Sequence, residues 1–190
     1  PLSSSTTAPV SSGLADPMPT IGVAIPVPEP YGSLLRNKRA AFGDPMAKTV
    51  PSHVTLVAPT EVSASDIRVV SAALERTSAT LPPFPMKLRG TATFRPISPV
   101  VFIAVSQGIS YTEVLAKAVR TALGSTEPVF PFHPHVTIAH NIDDASLDRA
   151  YNELSGFECQ FTVDRFALYL HDDVDGWVPR ETFDLGPGPR

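Results

Sequence analysis

The sequence has little of three features that would point to particular classes of protein. It contains a single cysteine, Cys159, so an internal disulfide is excluded, which fits a reducing compartment. No apolar run approaches the length of about 18 residues that a membrane-spanning helix needs. Basic residues do not exceed acidic ones, 15 against 19, whereas proteins that bind long nucleic acids usually carry a positive excess. We therefore expect a cytoplasmic protein with neither a membrane nor a long nucleic acid as its partner.

The composition is that of one globular domain preceded by a polar segment. Hydrophobic residues make up 43% and charged residues 18% of 190 positions, which suits a single domain of ordinary size. Residues 1–17 read PLSSSTTAPVSSGLADP, and with almost no large apolar side chain they predict a disordered tail. The domain is expected over residues 18–190, with Met18 as a candidate native start, and we expect it to be a monomer.

Hydrophobic periodicity alternates between the patterns of strands and helices. TIGVAIPV and HVTLVA predict strands, and each is followed by an amphipathic helix. The same order of strand, helix, His-containing strand and helix returns from VVFIAVS to DDASLDRAYNELSG, which indicates an internal duplication. In the helix SYTEVLAKAVRTALG, Ser110 and Glu113 match a capping box and Gly124 suits the C-terminal cap. The last segments, CQFTVDRFALYLHD and WVPRETFDLG, predict a closing pair of strands.

A His-Val-Thr-aliphatic motif occurs twice, at residues 53–56 and 135–138. Side chains alternate between the two faces of a strand, so the His and Thr of each copy project together while the aliphatic residues enter the core. A duplicated fold would bring the two polar pairs to opposite sides of one cleft. Two imidazoles can remove a proton on one side of a phosphorus atom and deliver one on the other, while hydroxyls hold the phosphate oxygens. The predicted site consists of His53, Thr55, His135 and Thr137.

These paired motifs, with their hydrophobic flanks and duplicated context, resemble the two-histidine (2H) phosphoesterase superfamily. The resemblance is to its bacterial branch of RNA 2′,3′-cyclic phosphodiesterases, also called 2′-5′ RNA ligase-like proteins, and covers residues 20–185. It implies an α+β, bilobal duplicated fold, with two antiparallel β-sheets, outer helices and a central cleft that carries both His-x-Thr motifs. It also implies catalytic roles for His53 and His135 and phosphate-binding roles for Thr55 and Thr137, with no metal or other cofactor.

The reaction that the resemblance implies is the opening of a 2′,3′-cyclic phosphate, on an RNA end or a nucleotide, to a 2′-phosphate. One histidine would activate water and the other would protonate the departing ribose oxygen. Three alternatives stay open within the same cleft. The first is another phosphodiesterase reaction, on ADP-ribose cyclic phosphate or a 2′-5′ oligonucleotide. The second is the reverse reaction, in which a 2′-5′ RNA ligase joins RNA ends. The third is a nucleotide- or RNA-binding module with little turnover.

Four further residues are candidate substrate contacts. His140 stands where many members of the family have a basic residue after the second motif, since PHVTIAH matches the pattern Pro-His-x-Thr-x-Ala-Arg except at its end. Phe94, in TFRP, is a candidate for stacking on a base or packing at the cleft rim. The remaining candidates are His133, on the same strand face as His135, and Arg95.

Several features have a structural interpretation that competes with a functional one. His133 and His140 could belong to a metal site with His135, but no neighbouring Asp, Glu or His completes a ligand set, and a metal-dependent hydrolase is disfavoured. RNKR, at residues 36–39, invites an RNA-binding interpretation, and a solvated helix face is favoured instead. The aromatic residues of the last strands, Tyr169 and Trp177, are predicted to be core rather than a platform for a base.

Overall fold

The computed structural model describes residues 15–125 and 131–187. Within these ranges the chain forms eight strands and four α-helices. The strands are β1 (Thr20–Pro26), β2 (His53–Glu61), β3 (Phe84–Thr93), β4 (Val100–Gln107), β5 (His135–His140), β6 (Glu158–Val163), β7 (Arg165–Asp172) and β8 (Gly176–Asp184). The helices are α1 (Tyr31–Ala41), α2 (Ile67–Ser78), α3 (Ile109–Ala122) and α4 (Asp144–Glu153), and short 3-10 helices cover Pro45–Lys48 and Ala64–Asp66. None of these helices has both the length and the apolar character needed to cross a lipid bilayer.

The strands form two four-stranded sheets in which all neighbours are antiparallel. The first sheet has the order β2-β1-β7-β8 and the second has the order β5-β4-β3-β6. The predicted α+β duplicated fold with two antiparallel sheets is therefore confirmed. In both sheets the strand that begins with a motif histidine lies at the edge, beside the strand that opens its half of the duplication.

The prediction of a closing strand pair is right for β7 and β8, which pair with each other, and wrong for β6. Strand β6 pairs with β3 in the second sheet, whereas β7 pairs with β1 in the first. Only Asp164 separates β6 from β7. The sequence offers no turn signal there, because the chain passes from one sheet to the other instead of turning back.

Both halves share one hydrophobic core. Buried residues from β1, α2, α3 and β5 all belong to it, including Ile25, Leu74, Leu115 and Val136. Helix α3 of the second half contacts β2 of the first, and α1 contacts β5 in the same crossed manner. The two sheets are therefore held together by packing at the same junction that carries the two motif strands.

Helix α3 begins differently from the sequence-based prediction. It starts at Ile109, so Ser110 lies inside the first turn, and the N-cap is Gly108 with a φ of 93° and no side-chain cap. A Cβ at this position would lie 2.6 Å from the carbonyl oxygen of Pro85, so the close approach of β3 requires glycine. The predicted capping box is wrong for this reason, while Gly124, with a φ of 64°, follows the end of the helix as predicted.

Most of the predicted tail, residues 1–14, lies outside the described residues. The carboxylate of Asp16 accepts hydrogen bonds from the backbone N of Ser65 at 3.2 Å and from its hydroxyl at 2.8 Å. The carbonyl of Pro17 accepts one from the backbone N of Ala64 at 2.8 Å. The last residues before the predicted domain therefore lie against the approach to α2.

Candidate active site

The alternation of each motif strand matches the sequence-based prediction. His53 and Thr55 are half-buried on β2, while Val54 between them is fully buried in the core. On β5, His135 and Thr137 are likewise half-buried around a fully buried valine. Each polar pair is thus fixed by the core packing of its own strand.

The two polar pairs are close to each other. Strands β2 and β5 contact one another at the junction of the sheets. The charge of a protonated His53 also contributes to lowering the pKa of His135, so the two imidazoles lie within electrostatic range. Both motif histidines therefore lie near each other, on the edge strands of two different sheets.

One ring nitrogen of each motif histidine is held by the backbone two residues earlier. Nδ1 of His53 is 2.6 Å from the carbonyl oxygen of Pro51, and Nδ1 of His135 is 2.7 Å from that of His133. A carbonyl oxygen only accepts hydrogen bonds, so each Nδ1 carries the proton and donates it. In the neutral ring this leaves a lone pair on Nε2, which can take a proton, and in the cation Nε2–H can give one.

The surroundings lower the pKa of both imidazoles. For His53 the main cause is burial, opposed by the Pro51 carbonyl and reinforced by the positive charge of Arg39. For His135 it is again burial, opposed by the His133 carbonyl and reinforced by the nearby imidazoles of His133 and His53. Because the ordinary value is 6.5, both rings are mainly neutral at pH 7 in the free protein.

Aromatic rings surround His135. Phe94 meets the imidazole edge-on with ring centroids 5.0 Å apart, and Phe102 lies at the same distance. The exposed ring of His133 lies 5.6 Å from Phe94. Of the predicted substrate contacts, Phe94 and His133 therefore lie beside the second motif.

The other two predicted contacts face different groups. The guanidinium of Arg95 lies 2.9 Å from a carboxylate oxygen of Asp148 and 3.7 Å from one of Asp144, both on α4. His140 closes β5, and its backbone N donates to Oδ2 of Asp44 at 3.0 Å. Neither Arg95 nor His140 lines the cavity beside His53.

A buried ion pair that sequence reasoning missed joins the two halves behind the site. Arg39 on α1 is 7% exposed and Asp44 is 2% exposed, with Nε 2.7 Å from Oδ2. The same carboxylate accepts from the backbone N of Met46 at 2.9 Å and from that of His140 on β5. The predicted solvated face of residues 36–39 is therefore wrong for Arg39, which lies inside the protein.

An apolar cavity opens beside the first motif. The centre of a water molecule can occupy about 90 Å³ of it, and the empty space is about 420 Å³ when open solvent at the mouth is included. Tyr169 is buried, as predicted for a core residue, but it lines this cavity together with the partly exposed Trp177. The lining includes Gly22, Ala24, His53, Thr55, Tyr169 and Trp177.

The described residues contain no cluster of three His, Cys, Asp or Glu side chains with the geometry of a metal site. The rings of His133 and His135 have centroids 6.2 Å apart. The local crowding of histidines in PFHPHVTIAH therefore does not assemble a ligand set in residues 15–125 and 131–187.

Comparison with known proteins agrees with this arrangement. A family model described as the 2′-5′ RNA ligase superfamily matches residues 26–175, a range that contains both motifs. The chain belongs to the 2′-5′ RNA ligase superfamily. The resemblance seen in the paired motifs is thereby confirmed.

Two related proteins match over most of their own length. A protein of Geobacillus kaustophilus named "Putative phosphoesterase" is 31% identical over 139 residues, which are 72% of this chain and 80% of that protein. One of the same name from Halalkalibacterium halodurans is 28% identical over 167 residues, 87% of this chain and 96% of that protein. Family and relatives together support phosphoesterase chemistry.

Solved structures share the fold. Escherichia coli LigT in complex with 3′-AMP has a TM-score of 0.66 and 23% identity, covering 89% of this chain and 99% of that one. TT0787 of Thermus thermophilus has the same TM-score at 21% identity, covering 90% and 100%. The duplicated two-sheet architecture is therefore that of LigT.

Proposed function

We propose that this member of the superfamily is a metal-independent phosphodiesterase that opens 2′,3′-cyclic phosphates of RNA ends or nucleotides to 2′-phosphates. The observation that carries the proposal is the matched pair of imidazoles, each with Nδ1 bonded to a backbone carbonyl and Nε2 left for proton transfer. Two such groups at one site suit a displacement at phosphorus, which needs a base on one side and an acid on the other.

In the proposed reaction, water attacks the phosphorus of the cyclic ester. Nε2 of one histidine takes a proton from the water, and Nε2–H of the other gives a proton to the departing 3′-oxygen. The bond between phosphorus and that oxygen breaks, and the phosphate remains on the 2′-oxygen. The hydroxyls of Thr55 and Thr137 donate hydrogen bonds to the non-bridging oxygens and hold the phosphorus between the two imidazoles.

The proposed substrate class has support beyond the site. Structures of E. coli LigT, which has the same fold, hold 3′-AMP in one case and phosphate in another. The acidic balance of this chain, 19 acidic against 15 basic residues, suits a small phosphorylated ligand better than a long polynucleotide. An RNA end or a free nucleotide offers the same cyclic phosphate, so both belong to the proposal.

A panel of substrates tests the proposal. Nucleoside 2′,3′-cyclic phosphates, ADP-ribose cyclic phosphate and a 2′-5′-linked dinucleotide would be assayed side by side, with product identity read by ³¹P NMR. We expect the first class to be turned over fastest, to 2′-phosphates, with EDTA having no effect. Activity abolished by EDTA and restored by Zn²⁺, or nucleotide binding without any product, would contradict the proposal.

The family description favours one second candidate, the 2′-5′ joining of RNA ends. Ligation is the reverse of phosphodiester cleavage and uses the same pair of histidines. An RNA ending in a 2′,3′-cyclic phosphate, incubated with an RNA bearing a 5′-hydroxyl, would yield a 2′-5′-linked product if this direction is the one catalysed.

Removing the hydroxyl of Thr55 or Thr137 is expected to weaken phosphate positioning. Hydrogen bonds to charged groups contribute about 1.5–3 kcal/mol, so a Thr→Val change should lower kcat/KM about 10- to 100-fold. Thr→Ser at the same positions keeps the hydroxyl and is the matched control. Steady-state kinetics on a cyclic nucleotide would measure both, and equal losses in the Val and Ser variants would argue against a phosphate contact.

The pH dependence follows from the lowered pKa values of His53 and His135. The profile of kcat/KM reports the free enzyme, so we expect its maximum below pH 6.5, where one of the two rings is protonated and the other is neutral. A bound phosphate anion favours the imidazolium form and raises the pKa, so the maximum of kcat should lie at higher pH. Steady-state assays across pH 4–9 give the pH profiles of kcat/KM and of kcat. A kcat/KM maximum above pH 7 would contradict the expectation.

A further inference from the structure

The two halves of the duplication differ at the residue opposite each motif threonine. In the first sheet Thr55 is paired with Ala24 of β1, and in the second sheet Thr137 is paired with Phe102 of β4. The ring of Phe102 lies against His135, so a side chain occupies the space beside the second histidine. Beside the first histidine the equivalent position is an alanine, and the space remains open as the cavity.

Small residues form the floor of this cavity. Gly22 and Ala24 on β1 lie next to Ala167 and Tyr169 on β7, on the face opposite to the residues that enter the main core. A Cβ on Gly22 would lie 3.2 Å from the ring of Trp177, closer than most such contacts, so the indole lies directly on the strand. An aromatic wall thus stands over a floor with almost no side chains.

The chemistry of this lining suits a flat, apolar ring. Apart from His53 and Thr55 at the reacting end, the lining residues with a polar group in the side chain are Tyr169 and Trp177. Because Thr55 borders the cavity, a ring bound in it would be connected to a phosphate at the histidines.

We propose that this cavity is the nucleobase subsite of the enzyme and that Trp177 is its main stacking residue. The inference rests on the proposed function. It adds that the nucleoside binds on the side of the cleft formed by the first sheet, beside His53. Stacking on an aromatic ring is available to every base, whereas discrimination needs hydrogen bonds to the edges of the base. The subsite therefore binds purines and pyrimidines alike.

Binding can be tested without turnover, because Trp177 is the single tryptophan of the chain. Its fluorescence, excited at 295 nm, would be followed in titrations of the full chain with adenosine 2′-monophosphate and uridine 2′-monophosphate. Ribose 5-phosphate and inorganic phosphate serve as base-free probes. We expect both nucleotides to quench the emission and the base-free probes to leave it unchanged. Nucleotide binding detected by calorimetry with unchanged emission would overturn the proposal.

Variants test the same subsite by kinetics. Trp177→Ala should lower kcat/KM for nucleoside 2′,3′-cyclic phosphates about 5- to 100-fold relative to kcat/KM for methyl riboside 2′,3′-cyclic phosphate, which has no base. Trp177→Phe should restore most of this preference, since it keeps an aromatic ring. Val178→Ala is the matched control, because Val178 is the exposed neighbour on the same strand and does not line the cavity. An unchanged preference in Trp177→Ala would overturn the proposal.

These outcomes separate the subsite from the proposed reaction. If nucleotides quench Trp177 but no cyclic phosphate is hydrolysed, the reaction is wrong and the subsite stands. If cyclic phosphates are hydrolysed with dependence on His53 and His135 but Trp177 responds to neither ligand nor substitution, the subsite is wrong and the reaction stands.

Discussion

Alanine at His53 or at His135 is expected to lower kcat/KM for a nucleoside 2′,3′-cyclic phosphate by about 10²- to 10⁴-fold, the usual contribution of a positioned acid or base. Each change removes one of the two Nε2 atoms that transfer protons, while the buried valine between His and Thr keeps the strand in place. The double variant should be little worse than either single one, because the two rings act on the same transition state.

The control for this experiment is His133→Ala. The side chain of His133 is exposed, and the group that holds Nδ1 of His135 is its backbone carbonyl, which the substitution retains. We therefore expect a far smaller loss than for His135→Ala. Circular dichroism would confirm that all variants are folded. Near-normal activity in both His53→Ala and His135→Ala would refute the proposed reaction.

A second large effect is expected on stability. Replacing Asp44 by alanine should lower the free energy of unfolding by about 3–5 kcal/mol, the usual cost of leaving one charge of a buried pair without its partner. Arg39 would remain inside the protein, and the backbone N–H groups of Met46 and His140 would lose their acceptor. Urea denaturation followed by circular dichroism measures this difference.

Glu153→Ala provides a matched control, because it removes the partner of Lys38, the neighbour of Arg39 on α1. Lys38 of α1 forms an ion pair with Glu153 at 2.8 Å, but both side chains are about 40% exposed, at 39% and 44%. Exposed pairs contribute up to about 1 kcal/mol, so this variant should lose little stability. Equal losses in Asp44→Ala and Glu153→Ala would mean that burial of the Arg39 pair contributes nothing.

The parts of the fold that follow from short-range patterns could be predicted from the sequence. The repeated order of strand and helix, the alternation around His53 and His135, and the turn at Gly124 each depend on residues close together in the chain. The duplication extended these local patterns to a long-range prediction, because each copy places its His-containing strand at the edge of its own sheet. That is why contact between the two motif strands could be predicted.

Features that depend on contacts between distant segments could not be predicted. Arg39 has the sequence context of a solvated helix. It is buried against Asp44 because β5, which is distant in the sequence, packs against α1. Strands β6 and β7 are separated by a single residue, yet they belong to different sheets. The cavity depends on Ala24 lying opposite Thr55, which is a matter of strand register and has no signal in either segment alone.

The backbone carbonyls that hold the two histidine rings have a consequence for how this enzyme can change over evolutionary time. Enzymes that orient a histidine with an aspartate can lose that support through a single codon change. Here the supporting atoms belong to positions 51 and 133, whose main-chain oxygens are present whatever residue is encoded. Saturation mutagenesis should therefore find these two positions permissive, and sequences that drift widely around the motifs can retain the same proton-transfer geometry.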